Sequence, residues 1–528
     1  MTDLPFTFNL VDAPWIPCIS ATGGTEELSL RETLLRSHRL RAIAGDSPLV
    51  TAALYRLLLA ILHRVFGPED ADPWAVLWKA ESWDETVLNR YLDTWKPRFD
   101  LFDAEHPFYQ APDKRVKKPK STISLSHDRA SGNNPTLFDH HTEEVGETLT
   151  PAQAARFLLT AQAYGLAGLS GIEQNFTDGT LASGIVFLVQ GDTLRQTLLL
   201  NMLPYPPDND LFSVHGPDDR PAWEMDDPFI PNRAIPFGYL DYLTWQNRKV
   251  LFLPERINGE TVVRKMTMGP GLRYDPSVLD PMKNYRRHER LSPYSFSEDR
   301  VFWRDSAALF AFKGEVAQKA VPPATLRWLQ HIIDETPVLR GHEMYRIIAL
   351  GMSRKPGQQK VYFFRQEQLP VPLDYLTDED LVLALDAALN VAETVAFDLL
   401  QAARLTGMHR QLPAVEQKWQ KQWSQLSANA RSDINNWISH TGMERAYWSS
   451  LDLPFQSFIV ALARDRESAV AEWRSQLRKA ALDAFRLAAA SLGSDARAFK
   501  ARVAGEGYLQ YRLGEVFGNH KKEAVHEV

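Results

Sequence analysis

The side chains best suited to chemistry in this sequence are cations and amides. Lys114, Arg115, Lys117, Lys118 and Lys120 put five positive charges within seven residues, and Pro112 and Pro119 keep that run from being helical. Such a run suits phosphate contact or a solvated face. Lys283, Arg286, Arg287 and Arg290 form a second cluster, where Tyr274 and Tyr285 offer stacking or minor-groove contact. The third segment is Ser353 to Lys360, a tight turn at Pro356 and Gly357 with Gln358 and Gln359 at its tip. Amides placed there both donate and accept, as reading a base edge requires.

Catalytic constellations are not indicated. Gly165, Gly168 and Gly171 lie in Gly-Leu-Ala-Gly-Leu-Ser-Gly, which lacks the dinucleotide spacing and the Lys-Ser/Thr of a nucleotide phosphate loop. There is no Gly-x-Ser-x-Gly elbow and no His-Glu-x-x-His. The nearest metal-like set is His127 and Asp128 with Asp139, His140 and His141. Adjacent residues of an extended segment point in opposite directions, so few of these converge on one ion. His106 reads as a hydrogen-bonded structural residue. No cofactor is implied.

Composition narrows the classes. Over 528 residues, 44% are hydrophobic and 24% charged, enough for a large core of two to four domains. A single cysteine, Cys18, forms no internal disulfide or thiolate zinc cluster and fits a reducing cytoplasm. With 59 Lys+Arg against 66 Asp+Glu the net charge is −7, so nucleic-acid binding requires a local patch. The start carries no export signal, and the apolar run Leu49 to Phe66 is interrupted by Arg56, His63 and Arg64. A membrane is not expected.

The elements that must position these groups follow from local signals. Phe6 to Leu10 reads as a strand before the extended Pro14-Trp15-Ile16-Pro17. A helix runs from Ser47 and Pro48 to Gly67, another from Thr150 and Pro151 to Gly165, and Ile185 to Val189 is a buried strand. The polar stretches 111–149 and 204–236 read as irregular. Beyond residue 374 the pattern turns helical. One helix is capped at Thr377 and stopped at Gly407, a second spans Ala414 to His440, and a third covers Glu444 to Arg464 with a bend at Pro454. A fourth carries Trp473 to Leu487 and ends at Gly493, and a fifth follows over 495–517. The expected fold class is α+β: a large mixed α/β N-terminal domain over 1–374, then an all-α C-terminal four-helix bundle over 375–528.

Several segments together resemble the large subunit of the type I-E CRISPR Cascade surveillance complex, the CasA family. They are Asn9-Leu10-Val11-Asp12-Ala13-Pro14-Trp15-Ile16-Pro17, Ala104-Glu105-His106-Pro107-Phe108-Tyr109-Gln110, the loop Ser131 to His140, Asp219-Arg220-Pro221-Ala222-Trp223-Glu224 and Leu243-Thr244-Trp245-Gln246. The resemblance implies a non-catalytic, cytoplasmic subunit that recognises the protospacer-adjacent motif of double-stranded target DNA. Its partners would be guide RNA, backbone and small subunits, and a helicase–nuclease. Gly165, Gly168 and Gly171 map to a glycine loop that approaches the minor groove, Lys283 to a lysine that reaches the motif, and Gln358 or Gln359, beside Gly357, to a wedge that splays the strands. The loop with Asn133, Asn134 and Phe138 resembles a segment directed at the guide-RNA end, and Lys117 and Lys118 precede it. Leu166, Ala167 and Leu169 depart from the denser glycines of that loop, which puts motif preference in doubt. Two other readings compete: a metal-dependent phosphodiesterase using His127, Asp128, His140 and His141, and a pure scaffold binding RNA and subunits.

Overall fold

The computed structural model describes residues 5–125, 148–203, 218–298, 300–339, 344–354 and 361–518. The chain divides into two compact units, 1–369 and 370–528.

The N-terminal unit is built around two capped helices. Helix Pro48–Phe66 starts where Ser47 Oγ accepts the Val50 N–H and ends where the Gly67 N–H reaches the His63 carbonyl. It is long and apolar enough to cross a membrane, yet it is a core helix, buried along most of its length. Its Arg56 is buried against Asp280 and over the Tyr242 ring. Helix Pro151–Tyr164 packs against it, opened by a reciprocal capping box between Thr150 and Gln153. Arg156 on that helix is buried and donates to Asp46, Glu27 and the Trp15 carbonyl, tying the helix to the N-terminal sheet.

That sheet differs from the sequence expectation. Phe6 to Leu10 contributes a single bridge, Asn9 to Asp100, and the strand is Ile16–Ser20. It lies centrally, between Thr25–Leu28 and Leu40–Ile43. Pro17 is tolerated because it sits near the strand's start, before the pairing of Cys18 with Ile43 begins. Among the described residues, the segments that carried the family resemblance are mostly core. Phe108 stacks on Phe99 at 5.0 Å, and Trp223 packs against both Phe99 and Tyr109. Trp223 Nε1 donates to Tyr91, while Asp219 accepts the N–H groups of Leu240 and Asp241.

Three-stranded sheets make up the β part among the described residues. One places Met344–Arg354 between Ile185–Gln190 and Val361–Pro372. Ile185–Gln190 runs antiparallel to Met344–Arg354, with Ile185 opposite Gly351 and Gln190 opposite Arg346. That register carries Arg354 past the strand start, alongside residues 182–184. Another sheet pairs Arg248–Ile257 with Glu260–Pro270, and Lys120–Ser121 lies on its edge.

The C-terminal unit is helical, but its divisions differ from the expected ones. Helix Glu379–Gln411 is capped by Asp378, not Thr377, and runs straight through Gly407. A Cβ on Gly407 would lie 2.6 Å from Ile434 Cγ2, so this glycine permits close helix packing and stops nothing. The expected helix over 414–440 is two, Trp419–Gln425 and Ala428–Thr441, because Ser427 caps a new start at Ala428 by accepting the Ala430 N–H. The third is also two, Met443–Ser450 and Asp452–Leu462, with Pro454 in the first turn of the second, where a missing N–H costs nothing. Helices Arg466–Ala490 and Ala496–Gly518 complete the unit and both pack against Glu379–Gln411. Among the described residues the unit thus consists of three long helices with several short ones.

Candidate nucleic-acid interface

The glycine loop leaves the C-terminus of helix Pro151–Tyr164. Gly165 N–H bonds the Ala161 carbonyl at 3.0 Å, and a Cβ here would lie 2.6 Å from Arg248 Nη2. A Cβ at 165 would also lie 2.7 Å from the Ala161 carbonyl, so backbone and arginine together favour glycine there. Gly168 and Phe176 exchange both backbone hydrogen bonds, at 3.2 and 2.8 Å, closing the loop into a short β-like finger. At its turn Gly171 has φ of +80°, a conformation that side chains disfavour. Ser170 is buried, and its Oγ donates toward the carbonyls of Gln174 and Ile172. Between Gly168 and Ser170 the Leu169 side chain projects outward, 83% exposed.

Beneath the loop lies the segment 178–184. Asp178 Oδ1 accepts the Ala167 N–H at 2.8 Å and the Arg354 Nη1–H at 2.9 Å. Arg354 also bonds Asp178 Oδ2 and, at 2.8 Å, Ser183 Oγ. Gly179 N–H reaches the Gly165 carbonyl at 2.7 Å. Gly184 has φ of +91°, with Pro293 and the Lys283 stem packed against it. One short segment thus joins the glycine loop, Lys283 and the root of the β-hairpin whose connection carries Gly357, Gln358 and Gln359. That connection lies outside the described residues, as do Asn133, Asn134, Phe138 and the His127, Asp128, Asp139, His140 and His141 set. Among the described residues no group of three or more His, Cys, Asp or Glu side chains is placed to hold a metal.

Lys283 requires a correction. Expected as a cation reaching outward, it is 5% exposed, and its Nζ donates to the carbonyls of Thr180 and Ser183, each at 2.7 Å. Desolvation pushes its pKa down to about 8, against a weaker opposing pull from Asp280. In this conformation it buttresses the loop and presents no charge at the surface. Arg248 is alike: 3% exposed, it donates to the carbonyls of Thr177 and Leu166 and lies 4.7 Å over the Phe176 ring. Burial lowers its pKa to about 10. Both cations are held directly by backbone oxygens, with Asp280 near Lys283 and Asp178 near Arg248 as the more distant opposite charges.

The basic run borders the same finger. Arg115 donates to Gln174 at 3.2 Å, and Lys120 Nζ lies 5.7 Å from the Phe176 ring. Arg115 also pairs with Asp113, whose carboxyl it holds below the usual range. Lys114, Lys117 and Lys118 are exposed. The second cluster contributes less. Arg286 packs over Tyr294 and near Asp305, and Arg287 donates to the Ala317 carbonyl. Tyr285 is buried and accepts the Asp280 N–H at 2.7 Å, while Tyr274 is partly buried, donates to the Val278 carbonyl and packs against Tyr242 and Trp245, so both rings are engaged within the fold.

Reading the sequence alone missed Asp178, Arg248 and Arg354. Asp178 and Arg354 lie 176 positions apart and Arg248 meets Leu166 from 82 positions away, so no local pattern marks them.

Comparison with known proteins agrees with this fold. The family model described as CRISPR-associated protein Cse1 matches residues 9–484. CRISPR-associated protein CasA/Cse1 of Thermus thermophilus is 33% identical, the alignment covering 96% of this chain and 98% of that protein. The crystal structure of Thermus thermophilus CasA superposes with a TM-score of 0.78 at 30% identity, over 97% of this chain and 100% of that one. Cse1 from Acidimicrobium ferrooxidans gives a TM-score of 0.79 at 26% identity, over 97% of this chain and 99% of its own. A chain of a structure described as a CRISPR RNA-guided surveillance complex, at 23% identity and a TM-score of 0.75 over 96% of this chain and 100% of that one, shares the fold. A family match spanning most of the sequence, joined by a relative aligned nearly end to end, places this chain in the CRISPR-associated Cse1 (CasA) family.

Proposed function

We propose that this chain is the large, non-catalytic subunit of a type I-E RNA-guided surveillance complex, and that its glycine finger reads a protospacer-adjacent motif in duplex DNA. One observation carries the reading: loop 165–171 and the root of the Gln358/Gln359 hairpin meet at Asp178, and the basic run 114–120 borders the same finger at Gln174 and Phe176. Narrow backbone bordered by a basic run suits the minor groove, whose degenerate code tolerates several motifs. Exposed Lys114, Lys117 and Lys118 supply phosphate contacts, and a glutamine at the hairpin tip offsets lost stacking when the first pair opens. Guide RNA then reads the remaining sequence by pairing. Asn133, Asn134 and Phe138 face the guide-RNA end and a backbone subunit in this reading. The C-terminal unit acts as a four-helix-type scaffold, with the short helices grouped as one member, against the small subunits, and the chain's surface receives the helicase–nuclease. The compartment is the cytoplasm.

The test is target-duplex binding by the assembled complex, with and without the motif. Gln358→Ala, Gln359→Ala and Gly168→Val are expected to weaken motif-dependent affinity. If all three leave it unchanged while loss of residues 133–138 blocks assembly, the chain is a scaffold only. Stoichiometric metal and duplex cleavage by the purified chain would instead favour the phosphodiesterase.

A further inference from the structure

The glycine finger is not self-supporting. Its first half hangs from Asp178 through the Ala167 N–H, and Asp178 in turn is gripped by Arg354 at the last described residue before the hairpin connection. Arg354 uses both terminal nitrogens: Nη1 on Asp178 Oδ1, and Nη2 shared between Asp178 Oδ2 and Ser183 Oγ. Asp178 Oδ1 thus accepts from the loop and from the hairpin root at once. Ser183, the other anchor of Arg354, is held from its carbonyl side by Lys283. The planar guanidinium is suited to this three-point grip, whereas an ammonium, a point charge, is not. The pair is only partly exposed, with side chains 24% and 35% accessible, so solvent screens it less than a surface bridge.

We infer that Asp178 and Arg354 are a positioning pair that sets the glycine finger and the root of the glutamine hairpin in one register, so that both elements meet the same base pairs. Neither residue needs to touch DNA for this role. The inference rests on the duplex-recognition reading above and adds to it the device that aligns its two halves. A one-residue or one-ångström displacement of either half would leave each intact but unable to act on one base step.

Two measurements test it, on the full chain and on the assembled complex. Backbone hydrogen exchange in the full chain is expected to quicken across 165–176 by about tenfold in Arg354→Gln and Asp178→Asn, the loss of one charge-assisted bond. Asp178→Ala should go further, because Asn keeps an oxygen for the Ala167 N–H and Ala does not. Arg354→Lys keeps the charge and loses the grip, so it should resemble Arg354→Gln. In the complex, the same variants should lose motif-dependent affinity and keep that for motif-free duplex, and Asp178→Asn with Arg354→Gln together should cost little more than either alone. Unchanged exchange across 165–176 in both single variants overturns the inference, as does wild-type behaviour of Arg354→Lys. It is also overturned if Gly168→Val and Gln358→Ala abolish motif dependence while the pair variants retain it. Should Gly168→Val and Gln358→Ala themselves have no effect, the recognition reading is what has failed.

Discussion

The foundation of the glycine finger in the N-terminal unit and the helix crossings within the C-terminal unit rest on different physics. Around segment 178–184 the N-terminal unit buries cations and satisfies them with backbone oxygens: Lys283 on Thr180 and Ser183, Arg248 on Thr177 and Leu166. In the C-terminal unit the tight points are steric. Gly505 on helix Ala496–Gly518 has space for no Cβ, which would lie 2.7 Å from Phe485 Cζ and 3.0 Å from the Ala402 carbonyl, and Gly407 meets Ile434 in the same way. Hydrogen-bonded charge specifies where a loop sits. Small-residue packing specifies how closely helices approach. A loop that must present backbone to a polyanion gains from the first, and a scaffold gains from the second.

The sharpest way to break this contrast is to fill the steric side. Gly505→Val should destabilise the C-terminal unit by about 3 kcal/mol, the upper range for overpacking, seen as a lowered denaturation midpoint in urea. A near-neutral result would mean the helices are loosely seated. On the charged side, Lys283→Met strands two carbonyl oxygens and should cost about 2 kcal/mol at neutral pH, measured in the same way.

The same lysine sharpens the comparison through pH. Its pKa falls from 10.5 to about 8 on burial, so between those values the unfolded chain holds a proton that the native one has released. Native stability therefore rises with pH from about 8 to 10.5, and below 8 this contribution is absent. Urea titrations at successive pH values across that window should show the rise in the native chain and a flatter profile in Lys283→Met. A matching profile in both would place the proton elsewhere.

Smaller effects are expected at the elements that only frame the site. Ser47→Ala removes a helix cap and should cost about 1 kcal/mol by thermal or urea unfolding. The smallest change in stability belongs to Leu169→Ser at the finger's tip, within about 0.5 kcal/mol, because that side chain is exposed. Duplex affinity of the assembled complex should nonetheless fall if the tip enters the groove. Unchanged affinity would mean that this leucine faces solvent throughout.

Local signals made part of the architecture legible. Ser47 with Pro48, and Thr150 with Pro151 and Gln153, mark helix starts because a cap is satisfied within three residues of itself. The strand at Ile185 is visible because it is branched and buried on both faces. The same logic misread Gly407, since a glycine in a packed helix looks like a stop until a neighbouring helix is present. For the candidate site, the glycines and the basic run were apparent as composition. The inward turn of Lys283 was not, for a lysine's surroundings lie in other segments.

Caps, periodicity and family motifs lie within short stretches of chain, so the order of amino acids was sufficient to set most helices and the affiliation with Cse1. Which charges are buried, which glycines are crowded and which loops share a foundation depended on residues brought together from far along the chain. Asp178 and Arg354 are 176 positions apart and meet only because an antiparallel register carries one strand's end past the other's start. Long-range pairing of that kind has no periodic trace, and it was settled by the folded arrangement alone.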